Sequence, residues 1–295
     1  MGKYFEKYIL RPIEKPITDE DAKVELICSK DHPIMGFFYE SCFYRHPYVI
    51  TDQEYALPYE ELFCFANTTG ENEDLGATVS ITVNGQVFTS DKNFMIVVPA
   101  FVPHGPIEVT EMKTPIFSYC AGAGREHVSL PEENWVREDV KPLEDMVIYY
   151  NGFKGDPHSY ASEQQTVIMQ CLYKYVPGTE FFSVLRRFEA NGPWFFAGGH
   201  IHDNPELLAY YGMDPWHPYE MKHKITQYIG GEKYTLDSPC VCYFPPYVFH
   251  CPLQIEETEK PCYWHSLAPG MSGYKSSSLK GWSGEDGDAE VKMPW

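Results

Sequence analysis

The sequence predicts an all-β protein built of two tandem barrels or sandwiches, on three observations. A block of residues repeats at a constant offset, short alternating stretches are punctuated by turn residues, and helical periodicity is scarce. The repeat is the most specific of the three. Residues 83–107 align without a gap on residues 229–253 at an offset of 146, which sets Gly85 on Gly231, Thr89 on Thr235 and Asp91 on Asp237. The match continues with Pro99 on Pro245, Val102 on Val248, His104 on His250 and Pro106 on Pro252, and Pro115 falls on Pro261. Glycine, proline and histidine report backbone conformation and side-chain chemistry, so their coincidence marks a tandem duplication rather than shared composition.

Each repeat reads as strands. Residues 78–83 alternate polar and β-branched side chains and run into Asn84-Gly85, a favourable two-residue hairpin turn; residues 224–229 run into Gly230-Gly231 in the same way. Strands are predicted over 94–98 and 240–244, each ended by proline, and over 181–189. The 24 prolines, 22 glycines and 16% aromatic residues suit short strands and tight turns. Residues 205–211 offer at best a single helical turn. The predicted domains are residues 1–145 and 146–295. The junction lies within 124–163, rich in Pro, Glu, Asp, Gly and Asn, where Trp135 and residues 146–150 are expected to pack on the body. The Ser-, Gly- and acid-rich tail over 276–288 is expected to be mobile.

Composition narrows the function. With 23 basic and 42 acidic residues the chain carries a net charge of −19, which repels phosphate backbones and anionic headgroups. No nucleic-acid or membrane partner is expected; a small-molecule substrate is, and a homo-oligomer is compatible. No signal peptide is recognisable over residues 1–11, and no apolar run has the length of a membrane span. The nine cysteines are odd in number, lie in apolar stretches and form no C-x-x-C pair, which reads as free buried thiols in a reducing, cytoplasmic setting.

One constellation carries chemistry. Gly199 leads into His200, His202 and Glu206, an H-x-H-x-x-x-E pattern. A strand sets His200 and His202 on one face, and the turn at Asp203-Asn204-Pro205 can return Glu206 to it. His250 follows a proline-broken strand at Pro245-Pro246. Three imidazoles and a carboxylate suit one divalent transition metal (Fe, Mn, Ni, Co or Zn) and suit Ca or Mg poorly. Four such ligands on an octahedral ion leave two positions for a chelating substrate or co-substrate.

On these residues the chain resembles the cupin superfamily, whose first motif is a glycine-led H-x-H-x-x-x-E and whose second is P-x-G-x-x-H. His200, His202 and Glu206 match the first motif, and Pro245 and His250 the second, with Tyr247 where glycine is usual. The resemblance spans about residues 35–122 and 175–268. It implies two jelly-roll barrels, each a double-stranded β-helix, with a metal inside the C-terminal one. In the N-terminal half, Tyr55 and Leu57 stand opposite His200 and His202, and only Glu61 and His104 remain of the ligand set. That degenerate site implies a structural or dimerising barrel, with His104 a hydrogen-bonded core residue and His46 a spare imidazole nearby.

Several further residues are candidates for holding substrate. Alternation along residues 181–189 points either Arg186 or Arg187 into the barrel, where a guanidinium could bind a carboxylate bidentately. Tyr243 and His265 lie on predicted barrel strands and could reach a bound substrate; His217 and His223 are other possible acid–base groups. The leading functional expectation is a mononuclear non-haem Fe or Mn oxidoreductase, dioxygenase-like, acting on a small phenolic or enolic substrate. The alternatives are a redox-neutral lyase, decarboxylase or isomerase using the metal as Lewis acid, and a non-catalytic small-molecule-binding barrel.

Overall fold

A computed structural model describes residues 3–150, 153–154, 165–172, 176–188, 194–196, 199–269 and 276–278. Among them the chain is all-β, with helix confined to short 3-10 turns such as Tyr4–Tyr8 and Leu143–Met146. No helix among the described residues is long and apolar enough to cross a membrane.

The strands form two jelly-roll barrels, each from a larger and a smaller sheet. In the first, the larger sheet runs in the order Val147–Tyr149, Phe94–Val98, Glu61–Asn67, Ile116–Gly122, Phe38–Tyr44, Lys23–Cys28. It is closed by a sheet of Tyr48–Thr51, His104–Thr110, Asp74–Val83 and Gln86–Lys92. The second barrel repeats the plan. Its larger sheet centres on Cys240–Phe244, Glu206–Gly212, Cys262–Ala268 and Phe182–Phe188. Its smaller sheet contains Glu232–Leu236, His223–Ile229, His250–Thr258 and His200–His202. The registers repeat as well. Ser118 lies between Phe65 and Cys42, and Trp264, at the same place in the second barrel, lies between Tyr210 and Arg186.

Alternation sorts the side chains into three cores. Val79, Ile81, Phe94 and Ile107 fill the first barrel, and Leu208, Tyr210, Ile225 and Trp264 fill the second. A third cluster joins Tyr39, Leu62, Phe117 and Tyr119 to Leu185, Leu207, Tyr211 and Tyr263, because the two larger sheets pack face to face. Their strands are therefore buried on both sides, and Glu206–Gly212 is a wholly buried strand rather than the helical turn its unbroken apolar run allowed.

The turns follow the sequence. Asn84 and Gly85 both adopt positive φ (49° and 75°), as do Gly230 and Gly231 (59° and 85°), the conformation a two-residue hairpin needs. Two edge strands cross between barrels: Ile9–Leu10 pairs with Cys240–Phe244, and Val147–Tyr149 pairs with Phe94–Val98. The expected junction at 145/146 thus divides the sequence more cleanly than it divides the sheets. Trp135 is half-buried and Met146 buried. Of the tail expected to be mobile, Ser276–Ser278 instead pairs with His200–His202; residues 279–288 lie outside the described residues. All nine cysteines are unpaired, and eight are buried.

Candidate metal centre

His200 and His202 leave one face of their short strand, Glu206 opens the next strand, and His250 opens a third that pairs with the first at His200. The ligand atoms of all four lie within 4.8 Å of one another, and all four residues are buried. Local sequence fixes this approach. A Cβ on Gly199 would lie 2.1 Å from the Phe249 ring, so glycine is needed where the strand enters. Tyr247, standing where glycine is usual, takes φ +64° with its side chain exposed, and its N–H donates to the His202 carbonyl at 2.9 Å. The substitution keeps the turn at the cost of some backbone strain.

The donor set fits a cation. Nδ1 of His202 lies 2.6 Å from the Asn204 carbonyl and Nδ1 of His250 lies 2.8 Å from the Val248 carbonyl, which turns both Nε2 atoms inward. Those Nε2 atoms lie 2.8 and 3.2 Å from one oxygen of Glu206. Each ring thus faces acceptors on both nitrogens, a demand met by an imidazolium or by a metal ion between imidazole and carboxylate. Burial pushes the Glu206 carboxyl up, but the hydrogen bonds from His202 and His250 outweigh it and hold the group well below the usual range. The Phe244 ring stacks on His250 at 4.1 Å and fixes its plane.

In the first barrel Tyr55 bridges to His104 as His200 does to His250, and Phe101 N–H donates to the Leu57 carbonyl as Tyr247 does to His202. Tyr55 and Leu57 therefore occupy the two histidine positions. Glu61 is wholly buried and its carboxylate is filled by donors. Oε2 lies 2.8 Å from His104 Nε2 and accepts from Tyr55 at 3.1 Å; Oε1 lies 2.9 Å from His127 Nε2 and accepts from the Cys120 thiol at 2.9 Å. His127 escaped the sequence reading because it lies beyond both motifs. Only its proximity to the end of the repeat could have flagged it.

The candidate substrate residues part company. Arg186 faces the interior of the second barrel, its guanidinium 4.3 Å over Trp264 and donating to Ser266 at 3.2 Å. Arg187 turns the other way and pairs with Glu71 of the first barrel at 2.9 Å. Tyr243 and His265, expected near a substrate, lie on the opposite face of their strands from the ligands. Tyr243 accepts from Gly36 N–H at 2.9 Å, and His265 stacks on Tyr119. The correction follows from period-two alternation in strands buried on both sides. His223 is buried, held neutral by burial at a pKa of about 4. His217 is exposed beside Asp214, and His46 sits against Asp19 and Trp216.

No family model matches the chain, and no curated protein does. Solved structures share its fold at low identity. AerE from Microcystis aeruginosa is 11% identical with TM-score 0.52, over 88% of this chain and 98% of AerE. A Bacillus subtilis oxalate decarboxylase with Mn(II) centres is 14% identical with TM-score 0.53, over 92% and 77%. Vicilin from hazelnut, Corylus avellana, is 11% identical with TM-score 0.56, over 93% and 89%. The fold is that of the two-barrel cupins. Among the described residues, the cluster of three histidines and a glutamate that could hold a metal lies in the C-terminal barrel, with no counterpart in the N-terminal one.

Proposed function

We propose that the second barrel is the active site of a metal-dependent enzyme acting on a small carboxylate-bearing substrate without net oxidation, as a decarboxylase, lyase or isomerase. The observation that carries this reading is Arg186. Among the described residues, the buried Asp, Glu, Lys and Arg side chains of this barrel are Glu206 and Arg186. A buried guanidinium beside an aromatic wall suits a substrate carboxylate.

The metal, held by His200, His202, Glu206 and His250, would supply Lewis acidity to a chelated substrate. The chain's own residues would do the rest. Arg186 orients the carboxylate, Trp264 walls one side of the guanidinium, and the backbone carbonyls of Asn204 and Val248 hold the His202 and His250 rings in place. The oxalate decarboxylase likeness is one of fold, and it is compatible with this chemistry.

The second reading, a dioxygenase-like oxidoreductase, rests on the same ligand set of nitrogen and oxygen atoms in an aromatic barrel. One experiment separates them. Metal-loaded protein is incubated with oxalate, small 2-oxo and hydroxy acids, and catechols, while product formation and dissolved oxygen are followed together. Turnover of an acid without stoichiometric oxygen uptake supports the redox-neutral reading. Product formed one-for-one with oxygen consumed would replace it with the oxidoreductase.

A further inference from the structure

The first barrel, read from its motif as a structural partner, is not filled. A cavity of about 730 Å³ opens among Phe38, Phe63 and Phe65 on its apolar side and Tyr55, Glu61 and His127 on its polar side. That volume lies in the range of small-molecule sites, roughly 300–1,000 Å³.

The charges in the wall indicate the sign of an occupant. Three carboxylates and three permanent cations line it. Glu61 has both oxygens occupied by four donors, and Glu40 is paired with Lys23. A cation entering the cavity would have to displace a neighbour to reach either; the third, Glu126, is exposed and lies next to Arg125 in the chain. On the positive side, Arg125 is exposed at the wall and donates to the Pro33 carbonyl. His127 is about one-third exposed, with Nε2 on Glu61 and its ring 4.8 Å from Phe38 and 5.1 Å from Tyr55. Burial lowers its pKa, but the hydrogen bond and charge of Glu61 outweigh this and raise it.

A metal does not suit this barrel. Leu57 supplies no ligand, and the donors from Tyr55 and Cys120 fill positions on Glu61 that an ion would need. Glu25, Cys28 and Glu40 form a ligand-like cluster at the wall, but Lys23 pairs with Glu40, and Lys15 and Lys30 each pair with Glu25 at 3.6 Å. Lysines already neutralise what a metal would use.

We propose that the first barrel is a second, metal-independent binding site for a small organic acid with a flat apolar body. Arg125 meets the carboxylate with the His127 ring beside it, and Phe38, Phe63 and Phe65 flank the body. The degenerate motif is then a changed site rather than a lost one. Tyr55 and Cys120 hold the Glu61 carboxylate in place of a metal, and Glu61 in turn fixes the His127 ring in the cavity wall.

The test is binding to the full chain, measured by calorimetry and ligand-observed NMR, with benzoate, 3-phenylpropionate and indole-3-acetate as probes and 3-phenylpropionamide as the neutral control. The proteins are wild type, His200→Ala (which disables the other barrel's cluster), His127→Gln and Arg125→Gln. At least one acid is expected to bind wild type and His200→Ala equally, and the amide at least tenfold more weakly, a difference of about 1.4 kcal/mol. His127→Gln and Arg125→Gln should each weaken the acid at least about fivefold, a loss near 1 kcal/mol. If His127→Gln does not fold, Arg125→Gln, at an exposed position, decides alone. The proposal is overturned if no acid binds at millimolar concentration, or if the amide binds as well as the acid. Loss of binding in His200→Ala overturns it too, as does wild-type affinity in a folded His127→Gln or Arg125→Gln protein.

Discussion

Tyr119 and His265 stack across the barrel interface with ring centroids 3.9 Å apart and an interplanar angle of 27°. They are 146 residues apart, the offset of the repeat, so they are the same position in the two barrels. Phe117 and Tyr263, also repeat partners, stack beside them at 4.7 Å. Contacts between equivalent residues place a local two-fold axis through this interface, as in an isologous dimer fused into one chain. Hydrogen bonds follow the same symmetry. Tyr119 meets Ser183 at 2.9 Å, and His265 Nδ1 meets Tyr39 at 3.4 Å.

The His265 side of that stack carries a pH cost. Burial, then the nearby Arg186 charge, depress its pKa to about 3. The folded state must keep the ring neutral, whereas the unfolded chain protonates it below about 6.5. Stability is therefore unaffected above that value and falls as pH drops from about 6.5 toward 3, with a limiting slope near 1.4 kcal/mol per pH unit. His265→Phe keeps the stack, and Tyr39 and Ser183 retain Tyr211 and Tyr119 as partners. Chemical denaturation of both proteins at pH 7 and pH 5 should show the variant gaining on wild type at the lower value. An unchanged difference would mean that His265 takes up its proton in the fold at the same pH as in the unfolded chain.

Metal content distinguishes the two barrels. His250→Ala removes a ligand and should abolish binding, while His104→Ala, at the equivalent place, should leave about one metal per chain. The second change strands groups around Glu61 and should cost about 1–3 kcal/mol of stability. Elemental analysis of both variants settles the matter, and equal metal loss in both would contradict a single metal site.

Acid should release the metal. Glu206 stays ionised well below the usual carboxylate range, so the protons that compete are those of the imidazoles, with unperturbed pKa about 6.5. Dialysis across roughly pH 6 to 4 should empty the site and lower the melting temperature. Full retention at the acid end would show that these histidines are not the ligands.

Arg186→Gln should raise KM for a carboxylate substrate by about tenfold to a hundredfold, the loss expected for a hydrogen bond to a charged group, with metal content unchanged. A similar effect from Arg187→Gln, whose partner is Glu71 of the other barrel, would argue for a structural origin.

The sequence by itself determined the duplication, the hairpins at Asn84-Gly85 and Gly230-Gly231, the four-residue ligand set and the loss of two ligand positions at Tyr55 and Leu57. Each rests on local spacing or on a constant offset, and both survive folding because strand register repeats between the barrels. Only the tertiary structure decided that Arg186, not Arg187, faces the barrel interior, and that Tyr243 and His265 lie at the interface. Every residue of Glu206–Gly212 and of Cys262–Ala268 is buried, so no polar face marks the outside of those strands. Alternation then separates two faces without saying which is which. The recruitment of His127 by Glu61, 66 residues away, depends on a loop folding back over the barrel, and no local pattern encodes that contact.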